Sequence, residues 1–395
     1  MNDFPQVILK SGKDEAVKRF HPWIFSGAIK KIYGEPQDGD NVEVYSNREE
    51  FLGIGHYQDS SITVRVFSFE KITPDYEFWK SKLLAAYEYR KKIGLIDNPE
   101  TNVYRLVHAE GDGLPGLIID YYNGTIVMQA HSIGMHLIRE QLADVLKGIY
   151  GENLQAIYDK SSETLPKSSK IKAVDGYLFG KQGPTEVSEY GNKFLIDWEK
   201  GQKTGFFIDQ RENRKLLEKY AKDKKVLNNF SYTGGFSIYA LKAGATEVHS
   251  VDSSKKAIDL TEKNIEINHI DPQKHKSFQV DAIDFLKNIE GKYDLIILDP
   301  PAFAKHQSAK YNALQGYKRI NLEAIRQIKK GGFIFTFSCS QVIDKHLFLS
   351  TIVSAAILSG RKVKIIHQLS QPADHPVNAF HPEGEYLKGL VLFVE

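Results

Sequence analysis

One cysteine occurs in 395 residues, Cys339, held between Ser338 and Ser340 at the end of the apolar run GFIFTFS (332 to 338). Most cysteines in such surroundings act as small hydrophobes, but the carboxyl end of a strand in an α/β sheet is where ligands bind. A thiolate there can add to carbon 6 of a pyrimidine, which turns carbon 5 into an enamine carbon able to attack a sulfonium methyl. Loss of the carbon 5 proton and expulsion of the thiol then complete the exchange. A thiol of ordinary pKa near 8.5 is only about 3% thiolate at pH 7, so the site has to lower that value, through Lys305 or a helix end. The segment LDPPAFAKH (298 to 306) supplies a second reactive group, Asp299. Pro300 and Pro301 remove backbone donors and stiffen the chain behind it, which suits contact with a planar base by Pro300, Pro301, Phe303 and Lys305. Phe303 and Phe206 are candidates to stack on that base.

A second group of residues ends earlier strands. In NNFSYTGGFS (228 to 237), Asn229, Ser231, Tyr232, Thr233 and Gly234 fall where a strand gives way to a helix, and Gly234 and Gly235 let backbone approach a ligand. Asp252 follows 18 residues after Gly234, near the ~20 at which an acid meets a ribose diol, with Ser253 beside it. Asp281 ends a third strand and suits an adenine amino group, with Ala282 next to it. Each of these residues alone is equally what a turn or a helix cap supplies; three in register point to an adenosine-containing ligand. The third glycine of a dinucleotide fingerprint is missing, which favours S-adenosylmethionine over a nicotinamide cofactor. Upstream, KTGFFIDQRENR (203 to 214) places Phe207, Asp209 and Arg211 at a helix start, as further cofactor contacts or as a hydrophobic staple with Asp209 as cap.

These residues need a doubly wound, Rossmann-like α/β domain to hold them. The spacing predicts strands over 225–232, 247–252, 277–281, 293–299 and 332–338, joined by helices over 236–243 and 255–268 and one ending near 330. A last strand, YLKGLVLFV (386 to 394), is expected to close the sheet. Ahead of this, residues 1–71 form a small β-rich domain with strands over 7–10, 41–46, 51–57 and 61–69. A central α+β domain, 72–190, follows, with a helix over 75–93, two strands within 104–130, a helix over 133–149 and a strand near 154–161. The catalytic domain is 191–395. The polar run KSSETLPKSSKIK (160 to 172) reads as an exposed loop, either plain or phosphate-contacting. His375, His381 and Glu383 either line a target pocket or belong to a structural loop.

Composition narrows the classes. A single thiol excludes disulfide frameworks and thiolate metal cages, and suggests a reducing compartment. No apolar stretch reaches the ~20 residues of a membrane span and no signal peptide is visible, so a cytoplasmic protein is expected. The balance of 52 Lys and Arg against 50 Asp and Glu argues against a uniformly basic surface, and residues 1–70 carry eight basic against eleven acidic groups. Nucleic-acid recognition would therefore rest on local patches, such as Lys10, Lys13, Lys18, Arg19, Lys30 and Lys31, which read equally as a solvated face.

With FHPWIFSGAI (20 to 29), YRLVHAEGDGLPGLIID (104 to 120), QKTGFFIDQRENR (202 to 214), NFSYTGGFS (229 to 237), LDPPAF (298 to 303), SCS (338 to 340) and HPVNAFHPEGEYLKGL (375 to 390), the chain resembles the bacterial 23S ribosomal RNA 5-methylcytosine methyltransferases along nearly its whole length. The resemblance implies an N-terminal PUA domain, a class I methyltransferase domain and S-adenosylmethionine as cofactor. It implies Cys339 as nucleophile, Asp299 as the group that steadies or protonates cytosine, and Asp252 and Asp281 as cofactor contacts. It implies large-subunit ribosomal RNA as the partner; no membrane and no metal are expected, and a homodimer is left open. Other RNA 5-methylcytosine enzymes carry a second Cys where this chain has Pro300 and Pro301, so the group assisting elimination is unassigned. The rival readings are an exocyclic-amine RNA methyltransferase, a uracil carbon 5 enzyme, and a non-catalytic RNA-binding assembly factor.

Overall fold

A computed structural model describes residues 4–166, 171–183, 185–304 and 306–395. Lys305 and residues 167–170 of the polar run 160–172 therefore lie outside the described residues. The chain divides into two compact units: Met1–Val187, Ile196–Phe206 and Ala373–Gly384 form one, and Ser188–Leu195, Phe207–Pro372 and Glu385–Glu395 the other.

The first unit opens with β1 (Gln6–Leu9), the single turn α1 (Glu15–Lys18), β2 (Trp23–Phe25), β3 (Ile29–Tyr33), β4 (Asn41–Tyr45), β5 (Phe51–Tyr57) and β6 (Ile62–Ser68). They make a six-stranded sheet in the order β2-β6-β5-β4-β1-β3. Strands β1, β4, β5 and β6 fall where the alternating pattern predicts. Strands β2 and β3 were not foreseen: β2 has three residues and β3 reads Ile-Lys-Lys-Ile-Tyr, with both lysines exposed, so neither shows a clean alternation over a useful length.

Helix α2 (Tyr76–Lys92) begins where Asp75 accepts a hydrogen bond from the Phe78 N–H, and Arg90, Lys91 and Lys92 crowd its last turn, where cations complement the helix dipole. Next come β7 (Val103–His108), β8 (Leu117–Tyr122), β9 (Thr125–Ala130), α3 (Ile133–Leu137), α4 (Arg139–Tyr150), β10 (Ala156–Asp159) and β11 (Gly176–Gly180), with sheet order β11-β10-β9-β8-β7. Residues 104–130 thus hold three strands instead of the two expected, because the two-residue turn Asn123-Gly124 splits one apolar run into an antiparallel hairpin. The predicted helix over 133–149 is interrupted at Ile138. Arg90 is fully buried; its guanidinium donates to Asp112 Oδ1 at 2.5 Å and Oδ2 at 2.8 Å, and to the backbone oxygens of Arg105 and Asp374 at 2.8 and 2.7 Å. That network fixes the 373–384 segment within this unit. His56 packs in the same core, stacked on Trp79 with ring centroids 5.8 Å apart. Gly134 has to be glycine there, since a Cβ would lie 2.1 Å from His56 Cγ. His381 sits with His21 and Glu383, their ligand atoms within 4.8 Å of one another.

A ribbon of β12 (Glu186–Glu189) and β13 (Asn192–Leu195) follows. The second unit continues with α5 (Arg211–Ala221), β14 (Lys225–Asn229), α6 (Gly235–Lys242), β15 (Glu247–Asp252), α7 (Lys255–Ile267), β16 (His275–Gln279), α8 (Ala282–Leu286), β17 (Leu295–Leu298), α9 (Lys310–Gln327), β18 (Gly332–Ser338), α10 (Lys345–Ser359), β19 (Val363–Leu369) and β20 (Lys388–Val394). The sheet order is β16-β15-β14-β17-β18-β20-β19. The first five strands are parallel; β20 runs antiparallel to both β18 and β19. The doubly wound expectation holds, and the order reverses at β14, so the crevice beyond the carboxyl ends of β14 and β17 is the natural ligand position. The last strand is inserted between β18 and β19 instead of closing an edge. β19 was missed in the sequence because its residues are half or fully exposed and carry no inward-facing apolar face. Among the described residues, no helix is long and apolar enough to cross a membrane.

Candidate active site at the carboxyl edge of the sheet

Strand β14 ends at Asn229, earlier than the apolar pattern suggests, because Phe230 and Tyr232 take positive φ values of 62° and 46°. Non-glycine residues rarely adopt that conformation, and it persists only where neighbours enforce it. Here α7 does so: Thr261 Oγ1 donates to the Tyr232 carbonyl at 3.0 Å and Asn264 Nδ2 to the Thr233 carbonyl at 2.9 Å. Asp252, at the end of β15, accepts the Tyr232 N–H at 2.9 Å through Oδ2 and the Ser254 N–H at 2.9 Å through Oδ1. Gly234 has φ +78°, and a Cβ on it would meet Thr261 Cγ2 at 2.7 Å. The loop is thereby bent into a cradle at the start of α6.

Two buried oxygens in this cradle, Asn229 Oδ1 and Ser231 Oγ, have no hydrogen-bond partner among the described residues. Burying a polar atom without a partner costs about 1–3 kcal/mol, so these two oxygens suit a polar ligand or a water held at the strand end. The Asn229 amide donates to the Ala282 carbonyl at 3.1 Å, which ties the cradle to the start of α8. Asp281 caps α8, accepting from Ile283 and Asp284 N–H at 2.9 and 3.0 Å, both at Oδ1. Ser253 is exposed beside Asp252. Together these atoms fit an adenosine-type cofactor: acceptors for hydroxyl and amino donors beside a close-approach glycine.

The floor below is charged and buried. Arg214 is buried and paired with Glu189 through two 2.8 Å bonds, and its Nη1 donates to the Phe207 carbonyl at 3.0 Å. Burial opposes the Arg214 charge, but the Glu189 carboxylate outweighs it and holds the guanidinium pKa above its ordinary value. The Phe207 ring meets Tyr232 edge-on at 5.0 Å. Asp209 is buried and accepts the Tyr386 hydroxyl at 2.7 Å. It does not cap α5, whose N-cap is Gln210 with no side-chain bond, since the chain first makes a 3-10 turn over Ile208–Gln210. Arg211 is buried at the first position of α5. Glu189, Arg214 and Tyr386 were not anticipated, because each works through a partner distant in sequence.

The reactive end lies two strands along. Ser338 closes β18 and Cys339 follows it, partly buried between two fully buried serines. Asp299 follows the neighbouring strand β17, half-buried, with Pro300 buried and Pro301 exposed. Ser340 joins the two ends: its Oγ accepts the Ala304 N–H at 3.4 Å and lies 3.1 Å from the Tyr317 hydroxyl of α9. The Phe303 ring packs on Tyr317 at 4.6 Å and against Gly316. Phe206 is buried in the first unit. Lys388, directly opposite Ser338 in the β18–β20 register, is 3% exposed and donates to the carbonyls of Ser340 at 2.7 Å and Tyr386 at 2.6 Å. Burial pushes its ammonium down to about 8, opposed by Cys339, then Glu385 and Asp344.

Comparison with known proteins identifies the family and the fold. A PUA-like domain family matches residues 7–69, and a family described as S-adenosylmethionine-dependent methyltransferase matches residues 172–381. Ribosomal RNA large subunit methyltransferase I of Aeromonas salmonicida is 41% identical over 394 residues, covering 98% of each chain, and that of Klebsiella pneumoniae is 37% identical with the same coverage. Among solved structures, a chain from Streptococcus mutans assigned as a SAM-dependent methyltransferase aligns with a TM-score of 0.84 at 24% identity, over 98% of this chain and 100% of that one. A methyltransferase solved with SAH aligns at 0.85, with the same identity and coverage. Both structural likenesses speak to the fold.

Proposed function

The chain belongs to the ribosomal RNA large subunit methyltransferase I family, and from that premise we propose that it methylates carbon 5 of a cytosine in large-subunit ribosomal RNA through a covalent Cys339 adduct. The observation that carries this reading is the position of the sole thiol: Cys339 follows β18, next to the strand that ends in Asp299-Pro300-Pro301, with Ser340 joining the two. S-adenosylmethionine, when bound, supplies an electrophilic methyl group. Asn229, Ser231, Gly234, Asp252 and Asp281 would hold it. Cys339 attacks carbon 6 of the cytosine, and Asp299 steadies or protonates the ring so that carbon 5 becomes nucleophilic. Only a base taken out of its stack can reach the thiol, at a cost of a few kcal/mol that an unpaired target lowers.

Residues 1–71 serve in this reading as an RNA-binding PUA module, 72–190 as a connecting domain and 191–395 as the catalytic domain. The protein works in the cytoplasm, where its bacterial relatives' substrate is assembled. Incubation with radiolabelled S-adenosylmethionine and total ribosomal RNA, followed by mass mapping of the labelled fragment, should place one methyl group on carbon 5 of a cytosine. Cys339→Ala should lose transfer and keep cofactor binding. Near-normal turnover by that variant would replace covalent catalysis with exocyclic-amine transfer at the Asp-Pro-Pro-x-Phe segment, and no label at all would leave an RNA-binding factor.

A further inference from the structure

The mechanism above needs a group that holds Cys339 as a thiolate, and Lys305 lies outside the described residues. Lys388 stands at the right place. Its backbone is paired with Ser338 and its Nζ bonds the carbonyl of Ser340, so Lys388 is tied to the residues on either side of the thiol. An ammonium has three donors, and two are taken, by Ser340 and Tyr386. Among the described residues no carboxylate lies within ion-pair distance of it. A buried lysine held only by neutral carbonyls is costly, and the cost is recovered where an anion forms nearby.

We propose that Lys388 is the positioning residue that stabilises the Cys339 thiolate, its ammonium serving as the buried counter-charge when the Sγ proton leaves to solvent. The inference rests on the reading of Cys339 as the nucleophile. The other groups acting on Lys388 are Glu385 and Asp344, which favour its charge, and Lys345, which opposes it; Tyr317 faces the same serine from α9. With its own ionisation near 8, Lys388 is predominantly charged at neutral pH, where the thiolate is needed.

Because the chain has one cysteine, alkylation of the full-length protein by iodoacetamide reads this thiol alone. Its rate as a function of pH should give a midpoint below the ordinary ~8.5 of a free thiol. Lys388→Met should raise that midpoint by about one pH unit or more, slowing alkylation at pH 7 by roughly tenfold. Lys388→Gln, which keeps donors toward both carbonyls, should do the same and carries the test should Lys388→Met fail to fold. Lys388→Arg should restore a low midpoint. An unchanged midpoint in folded Lys388→Gln, or a wild-type midpoint at the free-thiol value, would overturn the proposal. The assay needs neither RNA nor methyl transfer, so turnover by Cys339→Ala would sink the nucleophile reading separately.

Discussion

Asp281 shows how one residue can satisfy two readings. Its Oδ1 accepts both backbone N–H groups at the start of α8, which is the work of a helix cap, while its position after β16 is that of a cofactor contact. Asp281→Ala removes a cap worth about 1 kcal/mol and should lower stability by that order. Asp281→Asn keeps the cap and removes the charge. If the carboxylate also meets the cofactor, Asp281→Asn should melt like the wild type yet bind S-adenosylmethionine more weakly by calorimetry. Equal affinity would leave it a cap only. A sharper loss is expected at the buried pair: Glu189→Gln strands the Arg214 charge and should cost about 3–5 kcal/mol in a denaturant titration. The two cases also mark what was legible at this scale. Gly234, Asp252 and Asp281 could be found because strand ends are recognisable from local pattern. Glu189, Arg214 and Lys388 could not, since the Glu189–Arg214 pair and the Lys388–Ser340 bond join residues 25 and 48 apart in the chain.

Elements divide on the same line. Buried parallel strands advertise themselves as apolar runs, so β14, β15, β17 and β18 were found within a few residues. The strand β20 was also found, but its place between β18 and β19 depends on pairing that no periodicity encodes. Its neighbour β19 presents mostly exposed side chains and left no signal. The insertion has a consequence for stability. β20 pairs along its length with β18 on one side and β19 on the other, and its side chains are almost all buried. Deleting residues 385–395 would open a seam inside the sheet and strip Lys388 and Tyr386 from the site. The truncated chain should lose the part of the circular dichroism melting amplitude that belongs to the second unit, while the first unit still melts. A truncated chain that keeps the full wild-type amplitude and melting temperature would show that β20 is dispensable to the sheet.

Across the whole molecule, acid should strike the first unit through histidines that are buried uncharged. Burial pushes the His56 pKa down to about 3, with Arg65 adding to the effect. His108 is lowered too, chiefly by burial and then by His375. An unfolded histidine titrates near 6.5, so between that pH and the depressed folded values the unfolded chain binds more protons than the folded one. Stability held by these residues is therefore complete above about pH 6.5 and falls as the pH drops, by up to about 1.4 kcal/mol per pH unit for each histidine. The three tryptophans, Trp23, Trp79 and Trp198, all belong to the first unit, so intrinsic tryptophan emission follows this unit alone. In urea titrations followed by that emission, the midpoint should fall steadily from about pH 6.5 to pH 4. His56→Gln carries no titrating ring against Trp79, and its midpoint should fall less steeply over the same range. A slope identical to the wild type would mean that His56 is not neutral in the folded core.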